Sequence, residues 1–246
     1  IKIFDEKWFK NLTEESIISH QVSKSLERRD LLSLEFLANL GLDILEIKSL
    51  PKGKNLINKL KHAENYWGAY FEVSIIAMIK RHGYSVELEP LTQNRRRCEA
   101  RINKGKEIIY LECKYFSWPS KKFPEGERWM NIYYKNLRGE PLPEEEMKIM
   151  PNGIPIDWKD ELKDIVDKAI ETGSEQLDKN FPGILFIESP LASNSKAHQH
   201  LEDFLSKNKI EHLSALVILN KVYNKKIRYE NIIIQNPGAS WKWKYE

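Results

Sequence analysis

Two charged residues, two positions apart in an apolar segment, are the first candidates for chemistry. Glu112 and Lys114 fall within Glu107–Tyr115, a segment rich in isoleucine, tyrosine and leucine that predicts a β-strand. Residues two apart on a strand point to the same face, so the carboxylate and the ammonium group should project together. Burying such a pair is costly unless partners or a metal ion compensate the charges. An exposed strand face is the alternative explanation.

A second carboxylate, Glu99, precedes Glu112 on what should be the neighbouring strand. The segment Arg97–Asn103 predicts that strand, and residues 103–106 (Asn-Lys-Gly-Lys) predict a hairpin turn. With the turn centred on its Lys-Gly pair, Glu99 lies opposite Tyr110, diagonal to Glu112 on one face. Two converging carboxylates suit Mg²⁺ or Mn²⁺, because these ions accept oxygen ligands. A lysine beside them can stabilise developing charge or position the attacking water.

A third carboxylate lies on a predicted helix upstream of the hairpin. Apolar residues recur at helical spacing over about residues 55–82, and Gly83 should end this helix. Glu72 shares a helix face with Ile75 and Ile76 at the edge of the apolar stripe, so it can point towards the core. A solvated residue at the edge of the stripe is the alternative.

Together these motifs resemble the core of the PD-(D/E)XK nuclease superfamily. That family has a helix bearing an acid, then a strand hairpin that carries an aspartate and the sequence Glu-x-Lys. The matching runs are Phe71-Glu72-Val73, Cys98-Glu99-Ala100 and Leu111-Glu112-Cys113-Lys114. The resemblance covers about residues 64–115 and extends more loosely to about residue 188. It implies a restriction-endonuclease-like α/β fold, a mixed β-sheet flanked by helices. The sequence departs from the family at position 99, where the family usually has aspartate.

The resemblance implies a metal-dependent endonuclease that hydrolyses phosphodiester bonds in nucleic acid, with DNA expected before RNA. Glu99 and Glu112 would hold Mg²⁺ or Mn²⁺, and Glu72, the helix acid, would join or assist the metal site. Lys114 would be the catalytic lysine. One alternative is an inactive nuclease-like module that binds nucleic acid or forms a complex. Another is an interaction module whose acids form a solvated face. The resemblance also allows a homodimer or a larger defence or repair complex.

Other polar residues could support the site or bind the substrate. The run Arg95-Arg96-Arg97 leads into the second predicted strand and could hold phosphates near the ion, or form a solvated loop. Lys168 and Gln176, on a helix predicted near Trp158–Lys179, resemble polar residues that support the active site in some branches of the family. The alternative for both is that they are ordinary polar residues on the solvent-facing side of the helix. Aromatic and basic residues that could stack on bases interleave in a long loop: Trp118, Lys121, Lys122, Arg128, Trp129, Tyr133, Tyr134 and Arg138.

Length and composition predict one large domain with a helical extension. A chain of 246 residues can bury a core without disulfides, and 41% hydrophobic with 30% charged residues is typical of soluble proteins. Residues 1–60 predict the extension, in which Leu31, Leu34, Leu37 and Ala38 form an apolar stripe that should end at Gly41. Residues 61–246 predict the nuclease-like domain, with a loop insertion at 117–157.

The remaining pattern supports an α/β fold and a cytoplasmic protein. Strands alternate with helices after the loop; the predicted elements are Ile184–Ile187, Lys196–Asn208, Ala215–Leu219 and Ile227–Ile234. The only cysteines are Cys98 and Cys113, too few for a disulfide scaffold or a four-cysteine zinc site. No apolar run approaches the ~20 residues that span a bilayer, so no membrane association is expected.

Overall fold

The structure is a computed structural model that describes residues 4, 21–28, 31–62, 65–93, 95–115, 141, 143–145, 160–188, 195–224 and 226–241. The helices in these ranges are α1 (Gln21–Arg28), α2 (Leu31–Lys48), α3 (Gly53–Lys59), α4 (Tyr66–Arg81), α5 (Asp160–Ser174) and α6 (Ser195–Lys207). The strands are β1 (Ser85–Leu88), β2 (Ala100–Lys104), β3 (Glu107–Tyr115), β4 (Gly183–Glu188), β5 (Leu213–Asn224) and β6 (Lys226–Gln235).

The strands form one mixed sheet in the order β1-β2-β3-β4-β5-β6. The pairs β1–β2, β2–β3 and β5–β6 are antiparallel, whereas β3–β4 and β4–β5 are parallel. Parallel neighbours need a crossover connection, and α5 and α6 lie in the two connections concerned. The predicted α/β fold, a mixed sheet flanked by helices, is therefore confirmed.

Helices cover both faces of this sheet, so its central strands are buried on two sides. Alternate residues of β4 show the division. Ile184 and Phe186 pack in a core shared with α1–α4, whereas Leu185 and Ile187 pack in a second core shared with α5 and α6. A polar side chain on the middle strands therefore faces protein rather than bulk water.

The helix α2 differs from the predicted helix that ends at Gly41, because it continues to Lys48. Its inward positions are Phe36, Leu40, Ile44 and Ile47, while Leu31 and Leu34 of the predicted stripe are 76% and 54% exposed. The burial of these residues, with α4 as a neighbouring helix, outweighs the ~1 kcal/mol that a mid-helix glycine costs. The predicted stripe and its end were therefore wrong.

The single helix predicted over residues 55–82 is two helices. The N–H groups of Leu60 and Lys61 donate to Ile57 and Asn58, three residues back, so α3 ends in a tightened turn. The chain resumes in α4, which ends as predicted: Gly83 has a φ of 84° and donates its N–H to the carbonyl of Lys80. This break makes Lys59 the last residue of α3, within reach of α4.

The hairpin between β2 and β3 turns one residue later than predicted. Lys104 pairs with Glu107, so Gly105 and Lys106 are the central residues. Gly105 has a φ of 64°, as the first central residue of a type II′ turn requires, and this backbone preference sets the register. Ala100 therefore pairs with Leu111, which brings Glu99 level with Glu112 instead of Tyr110.

Other boundaries in the second half shift as well. Helix α5 spans Asp160–Ser174, so Gln176 lies in the turn after it rather than on a helix that runs to Lys179. The predicted loop at 117–157, with its aromatic and basic residues, lies outside the described residues except for 141 and 143–145. No helix in the described ranges is both long and apolar enough to cross a membrane.

The packing of α3 against the end of α2 can be tested with two glycines. A Cβ added at Gly53 would lie 2.1 Å from the backbone oxygen of Ile47, so Gly53→Ala should lower the free energy of unfolding by about 1–3 kcal/mol. Gly68→Ala is the control, because the nearest atom to its Cβ, in Tyr115, is 3.9 Å away. It should leave stability unchanged or raise it by up to about 1 kcal/mol. Urea denaturation measures both, and equal losses would contradict this packing.

Candidate active site

Glu112 and Lys114 lie together on the middle of the sheet. Strand β3 pairs them with Leu185 and Ile187 of β4, whose side chains face α5 and α6. The Glu112 side chain is fully buried, and Lys114 Nζ donates a hydrogen bond of 2.7 Å to its Oε1. The side chains project together, as strand parity predicts. The burial of Glu112 excludes an exposed strand face as the explanation of the pair.

Glu99 lies directly beside Glu112, just before β2 begins. Its backbone N–H is 3.3 Å from Oε2 of Glu112, to which it donates. Its carbonyl oxygen accepts a 2.9 Å hydrogen bond from the N–H of Glu89, which fixes the backbone from the other side. Both oxygens of Glu112 thus have a donor, one from Lys114 and one from the backbone of Glu99.

Glu72 joins the two strand acids from α4. Its carboxyl group is buried, interacts electrostatically with that of Glu99, and has Lys59 Nζ 3.3 Å from its Oε2. Burial raises the pKa of Glu72 well above the usual range, and the charge of Glu99 raises it further. Lys59 acts in the opposite direction. The structure therefore turns Glu72 inward and excludes the alternative of a solvated edge residue.

The pKa of Glu112 is raised by the same two causes as that of Glu72, namely burial and the charge of Glu99. Burial and the neighbouring charge of Glu99 raise the pKa of Glu112 to about 7, although Lys114 and the Glu99 N–H partly oppose them. With every group ionised, the cluster of Glu72, Glu99, Glu112, Lys59 and Lys114 carries one net negative charge. The excess negative charge of such a cluster is offset by a bound proton or by a cation.

Gln176 connects Lys114 to the loop before Glu99. Its Oε1 accepts a hydrogen bond from Lys114 Nζ, and its Nε2 donates to the carbonyl of Arg97 at 3.5 Å. Helix α5 approaches Lys114 closely, since a Cβ on Gly173 would lie 3.4 Å from the Lys114 Cε. Lys168 is different: it is exposed on α5, and the described part of the chain gives its side chain no hydrogen bond or ion pair.

The three predicted arginines have different surroundings. Arg96 forms an ion pair with Glu175, which helps to hold its loop against the turn after α5. Arg97 Nη1 lies 3.6 Å from Oε2 of Glu89, and 67% of its side chain is exposed. Arg95 is exposed and adopts a φ of 58°. The same loop is fixed by Asp178, which accepts a 2.9 Å hydrogen bond from the Gln93 N–H.

Sequence reasoning missed two residues near the cluster, Lys59 and Glu89. Both lie outside the motifs of the resemblance, and neither spacing nor residue type marks them. Lys59 reaches Glu72 only because α3 ends at it, and the sequence pattern suggested one unbroken helix there. Glu89 is placed by the bend after β1, where its φ is 46°.

Carboxylate oxygens, which three members of the cluster carry, are the ligand type that a hard cation accepts. No group of three or more histidine, cysteine, aspartate or glutamate side chains in the described ranges is arranged to hold a metal ion. Mg²⁺ commonly uses one or two protein carboxylates and keeps several waters, and Glu99 and Glu112 could supply these. The cysteines are poor ligands, because burial raises the pKa of the thiols of Cys98 and Cys113 and keeps both protonated.

Comparison with known proteins adds no relative: neither family models, nor curated proteins, nor solved structures give a match to this chain.

The raised pKa of Glu112 predicts how stability depends on pH. Because the folded value of about 7 exceeds the ordinary 4.5, the folded chain binds this proton more tightly than the unfolded chain. In EDTA, the free energy of unfolding should therefore fall as pH rises from about 5 to 8. Glu112→Gln should flatten this decline, while Glu107→Gln, at the exposed start of the same strand, should not. Chemical denaturation at both pH values measures the effect; an unchanged decline in Glu112→Gln would refute the burial argument.

Proposed function

We propose that this chain is a metal-dependent nuclease of the PD-(D/E)XK type, which hydrolyses phosphodiester bonds in nucleic acid, with DNA as the first candidate substrate. One observation carries the proposal. A fully buried glutamate on a central strand, Glu112, contacts Lys114 on one side and the Glu99 backbone on the other, and the charge of Glu99 acts on the buried helix acid Glu72. A buried charged cluster of this kind is costly to maintain and typical of catalytic sites.

The order of elements supports the same proposal. A helix that bears Glu72 precedes an antiparallel hairpin that bears Glu99, Glu112 and Lys114, and the next strand joins the hairpin in parallel. The helix followed by the hairpin, within a mixed sheet, is the arrangement that the family resemblance implies. We therefore propose the restriction-endonuclease-like fold as the finer description of the mixed sheet.

Glu99 and Glu112 would hold Mg²⁺ or Mn²⁺, which supplies Lewis-acid activation of a water and neutralises charge on the phosphate. The buried carboxyl group of Glu72 interacts electrostatically with that of Glu99 and would assist the metal site. Lys114 is held between Glu112 and Gln176, so its ammonium group has a fixed position from which to stabilise negative charge on the phosphate oxygens. Catalysis would then depend on preorganised charges rather than on a covalent intermediate.

A second candidate is a nuclease-like module that binds nucleic acid without cutting it. Glutamate at position 99 favours it, since this residue departs from the family pattern. This module would retain affinity for nucleic acid and lack metal-dependent cleavage.

Cleavage assays distinguish the two candidates. Purified protein is incubated with plasmid, single-stranded DNA and RNA in Mg²⁺, in Mn²⁺ and in EDTA. Wild-type protein should cut only with a metal ion, and Glu112→Gln and Lys114→Met should each lower the rate about 10²–10³-fold because they remove preorganised charge. The matched controls, Glu107→Gln and Lys106→Met, change exposed residues at the start of β3 and in its turn and should cut like wild type.

Other results would contradict parts of the proposal. Cleavage that persists in Glu112→Gln or Lys114→Met would show that another site or a contaminant cuts. Wild-type protein that binds DNA but never cuts, and that takes up no Mn²⁺ by calorimetry, would favour the binding module.

Gln176 should affect the rate through Lys114. Gln176→Leu removes the acceptor that holds the ammonium group, and a misplaced catalytic group can cost up to about 10²-fold in rate. The expected result is a lower maximal rate with little change in thermal stability, because Gln176 is only partly buried. Gln199→Leu, an exposed glutamine on α6, is the control. An unchanged rate in Gln176→Leu would show that Glu112 alone positions Lys114.

A further inference from the structure

The last two strands continue beyond the rest of the sheet as a two-stranded ribbon. The last row that β3, β4, β5 and β6 share runs from Tyr115 of β3 to Asn231 of β6. Past this row, residues 220–224 of β5 and 226–230 of β6 stay paired with each other, and no other described strand pairs with them. We call these two segments the ribbon. At the rise of ~3.3 Å per residue, its five rows extend about 17 Å past the sheet.

The ribbon leaves the sheet at the edge where the catalytic cluster lies. Lys114 shares a row with Ile187 and Ile218, one row before the last shared row. Lys221 of the ribbon therefore lies three residues beyond the row of Lys114 and two strands across from it. With strands about 4.8 Å apart, the backbones of Lys221 and Lys114 are about 14 Å apart. This distance corresponds to about four base pairs of duplex DNA, at 3.4 Å for each base pair.

The charge along β5 and β6 changes at the row where the ribbon begins. Residues 213–219 and 231–235, which pair within the sheet, include no charged residue. The ribbon contains three basic residues, Lys221, Lys226 and Arg228, and a single acid. The whole chain is nearly balanced, with 39 basic and 36 acidic residues, so the overall composition does not account for this local excess.

Protection of the sheet edge does not explain where the basic residues lie. Lysines on an edge strand often prevent a sheet from pairing with another chain. Strand β6 is an edge strand, and residues 231–235 form the outer edge of the sheet itself. These residues are Asn-Ile-Ile-Ile-Gln, whereas the basic residues lie past the sheet and on both strands of the ribbon. The positive charge therefore follows the ribbon rather than the edge.

We propose that the ribbon is a second nucleic-acid-binding element, which enters the major groove of duplex DNA about four base pairs from the phosphodiester bond at the catalytic cluster. The major groove is about 12 Å wide and admits a two-stranded β-ribbon. Lys221, Lys226 and Arg228 would bind the phosphates that line the groove. The inference rests on the proposed function, because it places the ribbon relative to the phosphate that Glu99 and Glu112 would act on.

Removal of the ribbon charges should weaken binding without slowing the chemical step. Lys226→Met/Arg228→Met removes two basic residues from one strand, so duplex affinity should fall about tenfold. The slope of log affinity against log salt should become less steep by about two phosphate contacts, each worth ~0.9. The cleavage rate at saturating DNA should stay within about twofold of wild type, because the catalytic cluster is unchanged.

The chain offers a matched control at the opposite edge of the sheet. Lys207 and Lys209 are exposed and lie where α6 leads into the start of β5, whereas the ribbon includes the end of β5. Lys207→Met/Lys209→Met removes the same charge, but it should change affinity by less than about twofold because salt screens distant charges. Lys226→Arg/Arg228→Lys keeps both ribbon charges and should also bind within about twofold of wild type.

The measurement is fluorescence anisotropy in Ca²⁺ at several salt concentrations. The probes are a labelled duplex of about 20 base pairs, long enough to reach from the cluster past the ribbon, and one of its strands alone. Thermal melting confirms that each variant is folded. The loss of affinity in Lys226→Met/Arg228→Met should be larger for the duplex than for the single strand, because only the duplex has a major groove.

Several outcomes would overturn this inference. They are unchanged duplex affinity or an unchanged salt slope in Lys226→Met/Arg228→Met, an equal loss in the Lys207→Met/Lys209→Met control, and equal losses for duplex and single strand. If wild-type protein cuts DNA and the ribbon variant binds like wild type, this inference alone fails. If wild-type protein binds duplex through the ribbon but never cuts, the nuclease function fails and the ribbon stands. Wild-type protein that neither binds nor cuts would refute both.

Discussion

The rest of the structure depends on how a fully buried carboxylate on a central strand is compensated. Glu112 lies in a sheet that helices cover on both faces, so water cannot solvate its charge. An unpaired ion there would cost several kcal/mol. Lys114 and the backbone of Glu99 offset part of this cost, yet the pKa of Glu112 is still raised to about 7. The surrounding elements are arranged to supply these partners: the hairpin register brings Glu99 level, and the turn after α5 brings Gln176 to Lys114.

Features of the site that depend on residues close together in the sequence were easier to predict than features that depend on distant residues. Strand parity alone places Glu112 and Lys114 on one face, since it depends only on neighbouring residues. The turn was predicted with its centre one residue too early, because Gly105 decides the register through its backbone conformation. Glu72 faces inward as the helix pattern allowed. The family resemblance itself stays a prediction, as do the metal ion and the cleavage reaction.

Features that depend on tertiary contacts could not be predicted from the sequence pattern. The burial of Phe36 and Leu40 carries α2 through Gly41, and the apolar stripe that begins at Leu31 is partly exposed instead. The break between α3 and α4 interrupts a continuous helical pattern, and it alone gives Lys59 access to Glu72. A periodic pattern indicates which face of a helix is apolar. It does not indicate where the neighbouring element that covers this face ends, and therefore does not fix the ends of the helix.

The parallel pairing of β3 with β4 has a consequence for when the site exists during folding. Lys114 contacts Gln176, 62 residues later in the sequence, and β3 has no parallel neighbour until the chain up to β4 has been ordered. Closing so long a segment costs entropy before any contact repays it, so pairings of this kind form slowly. The hairpin that carries Glu99 and Glu112 can form early from local contacts. The hydrogen bond from Lys114 to Gln176 forms only later. A chain still emerging from the ribosome would therefore carry Glu99, Glu112 and Lys114 before Gln176 can hold the lysine, and the full set of contacts would exist only once the fold is complete.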